Sequence, residues 1–514
     1  MHKRLFLSLT LSLMAIGFNS SLQAQLPQPL LTPDGLLAGD TGTAGLSIFR
    51  GIPYAAAPVG ANRWREPQAV PAWAGIRPAL QPGPRCVQRG FAVAAEQALT
   101  SEDCLYLNIW TPAQSSAEKL PVMVWIHGGG FVGGSGADTQ YDGAALARKG
   151  AVVVTLNYRL GAFGFFAHPA LSAGAASRSS GNYGILDMIA ALRWLRESVA
   201  GFGGDPDNLT VMGESAGGQA VATLLVSPLA EGLFQRAILQ SGGWMGWGGM
   251  AALPTRAQQE ADNQAKASAL GVTSAEELRA LNTSEVFAAF TGGGINVDGN
   301  VLPADPSRLL AEGRQQAVAV LAGSNRDEAV FFGPGLQTAA EFREFANRRF
   351  GALAADFLAL YPAGSDTEAN ASYLRSYTNE LAWQLRQLGR YQKARGTQAW
   401  IYHFTRVPPG QEARGSTHVA ELPYMLNQAG QNNAWTPDDR QLAEHMSSYW
   451  VNFARSGNPN GAGLPEWPVF DNNRGGDVLV LDAEIAAETT PAPAADALQL
   501  FDAAYNQLLQ GLAP

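Results

Sequence analysis

The stretch that most constrains this chain runs from Phe202 to Gly218 and reads FGGDPDNLTVMGESAGG. Leu209 to Met212 is apolar or β-prone and predicts a short buried strand, while Ala216 to Val226 is small and apolar and predicts a helix. Between them lies Gly213-Glu214-Ser215-Ala216-Gly217, a G-x-S-x-G pentapeptide. A serine on a tight strand-to-helix turn needs glycine two positions before and two after, because a side chain there collides with the neighbouring strand and helix. The turn lifts the Ser215 hydroxyl clear of the sheet and sets it at a helix N-terminus, where partial positive charge favours a developing anion. The pentapeptide alone is a common pattern, and its weight comes from the flanking strand and helix and from the rest of the chain.

The rest of the chain supplies a sheet. Val122 to Ile126 and Ala151 to Leu156 are continuous apolar runs that suit strands covered on both faces. Leu105 to Trp110, Arg236 to Gln240, Val318 to Gly323 and Gln398 to Phe404 read as further strands, the last being the final clear one. Tyr183 to Val199 carries Ile185, Met188, Ile189, Leu192 and Leu195 at helical spacing. This alternation predicts an α/β class with a largely parallel central sheet and helices on both faces. Pro27 to Ile48, with Asp-Gly and Thr-Gly turn signals, predicts a small antiparallel region. Two excursions, about 244–315 and 334–395, have helical periodicity and follow strands that end near Ser215, so they are expected to form a lid or pocket walls. No low-complexity linker or internal repeat divides the chain, and residues 25–514 read as one domain.

Composition narrows the function. Hydrophobic residues make up 46% and charged residues 15% of 514, as in a packed globular protein. A formal net charge of -9 argues against a nucleic-acid partner, which needs a basic face. Lys3 and Arg4, the apolar run Leu5 to Phe18 and the small or polar Ser20 to Ala24 read as a secretory signal peptide over residues 1–24. The expected location is the periplasm or the medium. No later stretch is apolar and long enough for a membrane anchor. Cys86 and Cys104 are expected to be bridged in such a compartment. The histidines show no metal-ligand spacing, and no G-x-G-x-x-G turn or Gly-Lys-Ser/Thr loop occurs, so neither metal nor cofactor is expected. Nothing in the sequence specifies an oligomer, and a monomer is the default.

A serine nucleophile needs a base, and the base needs an orienting acid. Asp327 and Glu328 follow the buried run Val318 to Gly323, and either carboxylate fits the role. His418, in Gly415-Ser416-Thr417-His418-Val419-Ala420-Glu421, lies on a loop after the last clear strand. His403 falls inside a strand, His445 on an amphipathic helix, His168 before a proline, and His127 beside a glycine run that it braces. That run, His127-Gly128-Gly129-Gly130-Phe131, follows a buried strand and can offer bare backbone N–H groups to an oxyanion. Gly129 and Gly130 are the expected donors, with the Ala216 amide as a third. Phe131, Trp244 and Trp247 are candidates for a substrate pocket, with ordinary packing as the alternative for the tryptophans.

These residues resemble the type-B carboxylesterases, the branch of the α/β-hydrolases that includes cholinesterases and bacterial carboxylesterases. Phe202 to Gly217 is similar to the family's serine signature, and Glu102-Asp103-Cys104-Leu105-Tyr106-Leu107-Asn108-Ile109-Trp110-Thr111-Pro112 to its second signature. Phe49 to Ala55, Asn157 to Gly161 and Asn452 to Asn460 resemble other family segments. The resemblance implies Ser215 as nucleophile, His418 as base and Glu328, not Asp327, as acid. It implies Gly129, Gly130 and Ala216 as the oxyanion hole and a Cys86–Cys104 bridge. It also implies that Glu214 lines the site and that Ser241 lies near it, both as positioning neighbours. The implied reaction is hydrolysis of a small-molecule ester through an acyl-enzyme. The same triad also serves amidases and thioesterases, and the family includes non-catalytic adhesion members. One departure bears on substrate: Val87 to Asp103 holds Phe91 but no tryptophan to stack on a choline cation, which argues against choline esters.

Overall fold

The computed structural model describes residues 25–43, 45–88, 100–246, 250–291, 294–333, 338–428, 434–471, 477–488 and 493–512. The signal-peptide reading of residues 1–24 and the pocket candidate Trp247 lie outside these residues.

Ten described strands form the main sheet. In chain order they are β1 (Ser47–Pro53), β2 (Tyr106–Thr111), β3 (Leu120–Ile126), β4 (Val152–Leu156), β5 (Gly204–Glu214), β6 (Arg236–Gln240), β7 (Ala319–Asn325), β8 (Ala399–Phe404), β9 (Val478–Leu481) and β10 (Ala486–Glu488). Across the sheet they run β10-β9-β8-β7-β6-β5-β3-β4-β2-β1. The pairs from β4 through β3, β5, β6, β7 and β8 to β9 are parallel. Antiparallel pairs close both edges. This is the α/β-hydrolase fold. Two further strands, β9 and β10, follow the last one that is clear in the sequence. The small N-terminal sheet begins with the expected hairpin, Leu30–Thr32 against Gly35–Ala38, and adds Ile76–Pro78 in parallel.

Two-residue alternation divides each central strand between two cores. Val122, Val124 and Ile126 of β3 and Ala399 and Ile401 of β8 enter one cluster. Met123 and Trp125, with Trp400, Tyr402 and Phe404, enter the other. Helices α1 (Tyr183–Ser198), α2 (Ala216–Val226) and α4 (Asp366–Ala394) feed the first core, and α5 (Pro437–Ser456) feeds the second. Helix α3 (Arg256–Ala269) belongs to the first excursion. The second excursion is largely a layer of the sandwich, since α4 packs along β7 and β8. Parallel strands bring their C-terminal ends to one edge, and the loops leaving β3, β5, β6, β7 and β8 meet there.

Candidate active site

Ser215 joins β5 to α2 with φ 58° and ψ -124°. Positive φ in a residue with a β-carbon costs about 1–3 kcal/mol and persists only where neighbours enforce it. Here the Ser215 N–H donates to the Gln240 carbonyl at 2.9 Å, and its own carbonyl accepts from the Gln219 N–H at 3.0 Å. A β-carbon on Gly213 would lie 2.5 Å from the Gly217 carbonyl, and one on Gly217 would lie 2.1 Å from the Ile126 oxygen. The pentapeptide glycines are therefore required by close approach, as the sequence implies. The side chain of Ser215, at the N-cap position, does not cap α2.

The loop after β7 carries Glu328, and the loop after β8 carries His418. The His418 Nδ1–H donates to Glu328 Oε2 at 2.7 Å, with both groups buried. Glu328 Oε1 accepts the Asn325 N–H at 2.7 Å, so the carboxylate is fixed by its own loop. Asp327 turns the other way: its carboxylate accepts the Ser416 N–H at 2.8 Å, and its own N–H donates to the Ser416 carbonyl at 2.9 Å. The two adjacent carboxylates thus do different things, one meeting the imidazole and one stapling the histidine loop.

The far side of the imidazole faces Glu214, the residue before Ser215, with His418 Nε2 2.9 Å from Glu214 Oε1. A third buried carboxylate, Glu421, accepts from Gln240 Nε2 at 3.0 Å and from Asn325 Nδ2 at 2.6 Å. Trp450 Nε1–H donates to Gln240 and orients it. Burial disfavours the His418 imidazolium, but Glu214 and Glu328 together overcome that and push its pKa up to about 10. Burial raises Glu214, against the opposing pull of His418. Burial, reinforced by the Glu214 charge, raises Glu421 to about 7.

The glycine loop leaves β3 directly over this turn. A β-carbon on Gly128 would lie 2.8 Å from Glu214 Oε2 and 3.0 Å from the Ser215 β-carbon. Gly129, Gly130 and Phe131 all have positive φ, at 103°, 62° and 61°. Among the described residues, no protein acceptor pairs with the N–H of Gly129 or Gly130. His127 stacks on Tyr158 at 4.4 Å between ring centres, and its carbonyl accepts the Tyr158 hydroxyl. Burial lowers the His127 pKa to about 4, so at neutral pH it is an uncharged brace for the loop. His403 is buried in β8 and His445 lies on α5.

A cavity of about 540 Å³ opens beside these groups, lined by Gly130, Phe131 and Ala216 together with Phe165, Met245 and Phe290. The structure corrects the pocket assignment of Trp244. Its indole is 1% exposed, donates to Ser307 Oγ and packs with Trp383 and Tyr505 in the core. Apolar pocket wall and apolar core have the same sequence pattern, and the neighbouring Met245 is the one that reaches the cavity. Ser241 is fully buried with φ 49°, and its N–H donates to the Gly323 carbonyl. Its hydroxyl has no partner among the described residues. Sequence reasoning gave no role to Glu421, Phe331 or Phe332. The phenylalanines are 42% and 51% exposed, with ring centres 5.5 and 5.1 Å from that of His418. Their signal was a Phe-Phe doublet one short turn beyond Glu328.

A buried acid–imidazole pair, linked through Glu214 to a strained serine turn at the C-terminal edge of this sheet, is the arrangement of the α/β-hydrolase class. A model of the Carboxylesterase family matches residues 30–497, and the chain belongs to that family, in its type-B carboxylesterase and cholinesterase group. It is a carboxylic ester hydrolase. Fumonisin B1 esterase of Sphingopyxis macrogoltabida is 39% identical, over 90% of this chain and 88% of its own. Para-nitrobenzyl esterase of Bacillus subtilis is 35% identical, over 90% and 96%. A solved PNB esterase structure superposes with a TM-score of 0.80 at 31% identity, covering 94% of this chain and 99% of that one. Described residues 86 and 104 form the disulfide.

Proposed function

We propose that this enzyme cleaves esters through an acyl-enzyme formed on Ser215. In the neutral imidazole, Nε2 of His418 leaves Glu214 Oε1 and takes the Ser215 proton as Oγ attacks the ester carbonyl, while Glu328 holds the opposite nitrogen as donor and stabilises the imidazolium. The carbonyl oxygen becomes an oxyanion and receives the N–H groups of Gly129, Gly130 and Ala216, each such donor lowering the barrier by about 3 kcal/mol. Collapse expels the alkoxide, which leaves as the alcohol with the proton from His418. Water, deprotonated by the same imidazole, then attacks the acyl carbon and frees the acid and Ser215. The observation that carries the reading is the buried 2.7 Å contact between His418 Nδ1 and Glu328, which fixes the tautomer a base requires. The amides of Gly129 and Gly130, without a protein acceptor among the described residues, support the oxyanion assignment.

Phe131, Phe165 and Phe290 in the cavity, and Phe331 and Phe332 over the imidazole, favour hydrophobic or aromatic esters of modest size. The name of the para-nitrobenzyl relative accords with an aromatic arm. Residues 1–24 act as an export signal in this reading, and the mature enzyme works outside the cytoplasm on a free small-molecule ester. Turnover of a chromogenic short-chain ester tests the chemistry. Ser215→Ala is expected to lose about four or more orders of magnitude in kcat, and unchanged turnover would refute the assignment.

A further inference from the structure

Gln219 stands one helical turn beyond Ser215 on α2, its N–H donating to the Ser215 carbonyl. Its side chain lines the same cavity as Gly130 and Ala216. The amide lies against Gly246, where an added β-carbon would be 2.7 Å from Gln219 Nε2 and 2.8 Å from Oε1. Around it the cavity is mostly carbon, from Phe131, Ala162, Phe165, Met245 and Ile295. A carboxamide offers two donors and an acceptor oxygen, and leaving them unpaired in apolar surroundings costs free energy that a hydrocarbon side chain would not. Among the described residues, the Gln219 side chain has no hydrogen-bond partner in the protein.

The other polar groups of the cavity do not share this condition. Gln259 is bonded to Asn296 and to the Gly294 carbonyl, and Asn263 to the Ala167 carbonyl. Asp262 and Lys266 are exposed on α3, and Thr291 is likewise exposed. Gln219 is therefore the half-buried amide left open beside the reacting centre.

Resting on the assignment of Ser215 above, we infer that Gln219 is a specificity-determining residue. Its amide bonds a polar group on the arm of the ester that enters this cavity. Favoured substrates then carry an apolar body with a hydroxyl or carbonyl group on that arm.

The test uses the full-length enzyme and two sets of three esters. One set varies the acyl arm as a plain alkyl chain, the same chain with a hydroxyl, and the same chain with a keto group. The other varies the alcohol arm in the same way. The readout is the ratio of kcat/KM between polar and plain members within each variant, which cancels differences in the folded fraction. The wild type is expected to favour both polar members by about three- to tenfold on one arm. Gln219→Leu is expected to bring that ratio to about one. Gln219→Glu, which only accepts when ionised, keeps the preference for the hydroxyl and loses that for the keto group. Flat wild-type ratios on both arms, or a preference that survives Gln219→Leu, would overturn the inference alone. Undiminished turnover in Ser215→Ala would overturn the underlying assignment and the inference with it.

Discussion

His418 has a carboxylate at each ring nitrogen, and this governs how its chemistry depends on pH. Glu328 is the orienting partner in the proposed mechanism, while Glu214 stabilises the imidazolium from the side facing the serine turn. In the proposed mechanism the working base is the neutral imidazole. With the pKa raised, the neutral fraction appears only at higher pH, so the acid limb of kcat/KM is expected above the ordinary histidine value of about 6.5. Glu214→Gln removes one negative neighbour, destabilises the imidazolium and lowers that pKa. The acid limb should then move down by about 1–3 pH units. Profiles on an uncharged ester between about pH 5 and 10 measure this, and an upward shift or none would contradict it. Ser215, His418 and the glycine run are legible as candidates in the sequence, because a backbone constraint or a rare side chain marks each one. Trp244 and Phe331 were not separable in that way. Both are aromatic residues following a strand, and only packing shows that one is sealed in the core and the other stands open over His418.

Between elements, the site depends on the register of two loops. The segment after β7 and the segment before His418 are stapled through Asp327 and Ser416 by a reciprocal backbone and side-chain pair. Asn325 adds a second tie, donating to the Thr417 carbonyl at 2.9 Å. By residue type and position either Asp327 or Glu328 fits the role of acid, and in the sequence it is the family resemblance that implies Glu328. Their opposite orientations divide the roles. Asp327→Ala should free the histidine loop and lower kcat about tenfold or more, because small misplacements of a base are costly. Asp327→Asn keeps an oxygen for the Ser416 N–H and should recover most of that loss. Glu328→Gln should be far worse than either, with kcat down by about four orders of magnitude. Equal losses in Asp327→Asn and Asp327→Ala would mean that the Asp327 charge, not its staple, is what matters. The core strands were legible for a similar reason: full burial on both faces writes uninterrupted apolar runs. Strands β9 and β10 were not, because β9 is only Val478–Leu481 and β10 is an exposed edge.

At the scale of the whole molecule, a wrap of irregular chain is held to the first excursion by contacts outside the sheet. Glu102 lies two residues before the bridged Cys104 and grips Arg63 through both oxygens, at 2.7 and 2.6 Å. The same carboxylate accepts the Thr283 hydroxyl, and Arg63 donates to the Arg279 carbonyl, so the N-terminal wrap and the first excursion share one anchor. The Cys86–Cys104 bond, with a sequence separation of 18, fixes the segment bearing that anchor. Such a loop closure is worth about 3 kcal/mol on the chain-entropy account, by restricting the unfolded chain. For a chain of this length that corresponds to about 3 °C in unfolding midpoint, since the entropy of unfolding scales with residue number. The double variant Cys86→Ser/Cys104→Ser should therefore melt a few degrees below the wild type. The reduced wild-type protein should match it, and reducing agent should have no effect on the variant. At temperatures well below the transition, kcat on a small ester should be retained, because neither sulfur belongs to the proposed catalytic machinery. Scanning calorimetry with and without reductant measures the first effect, and initial rates measure the second. Equal midpoints for oxidised and reduced protein would show that the Arg63–Glu102 anchor holds the wrap without help from the covalent link.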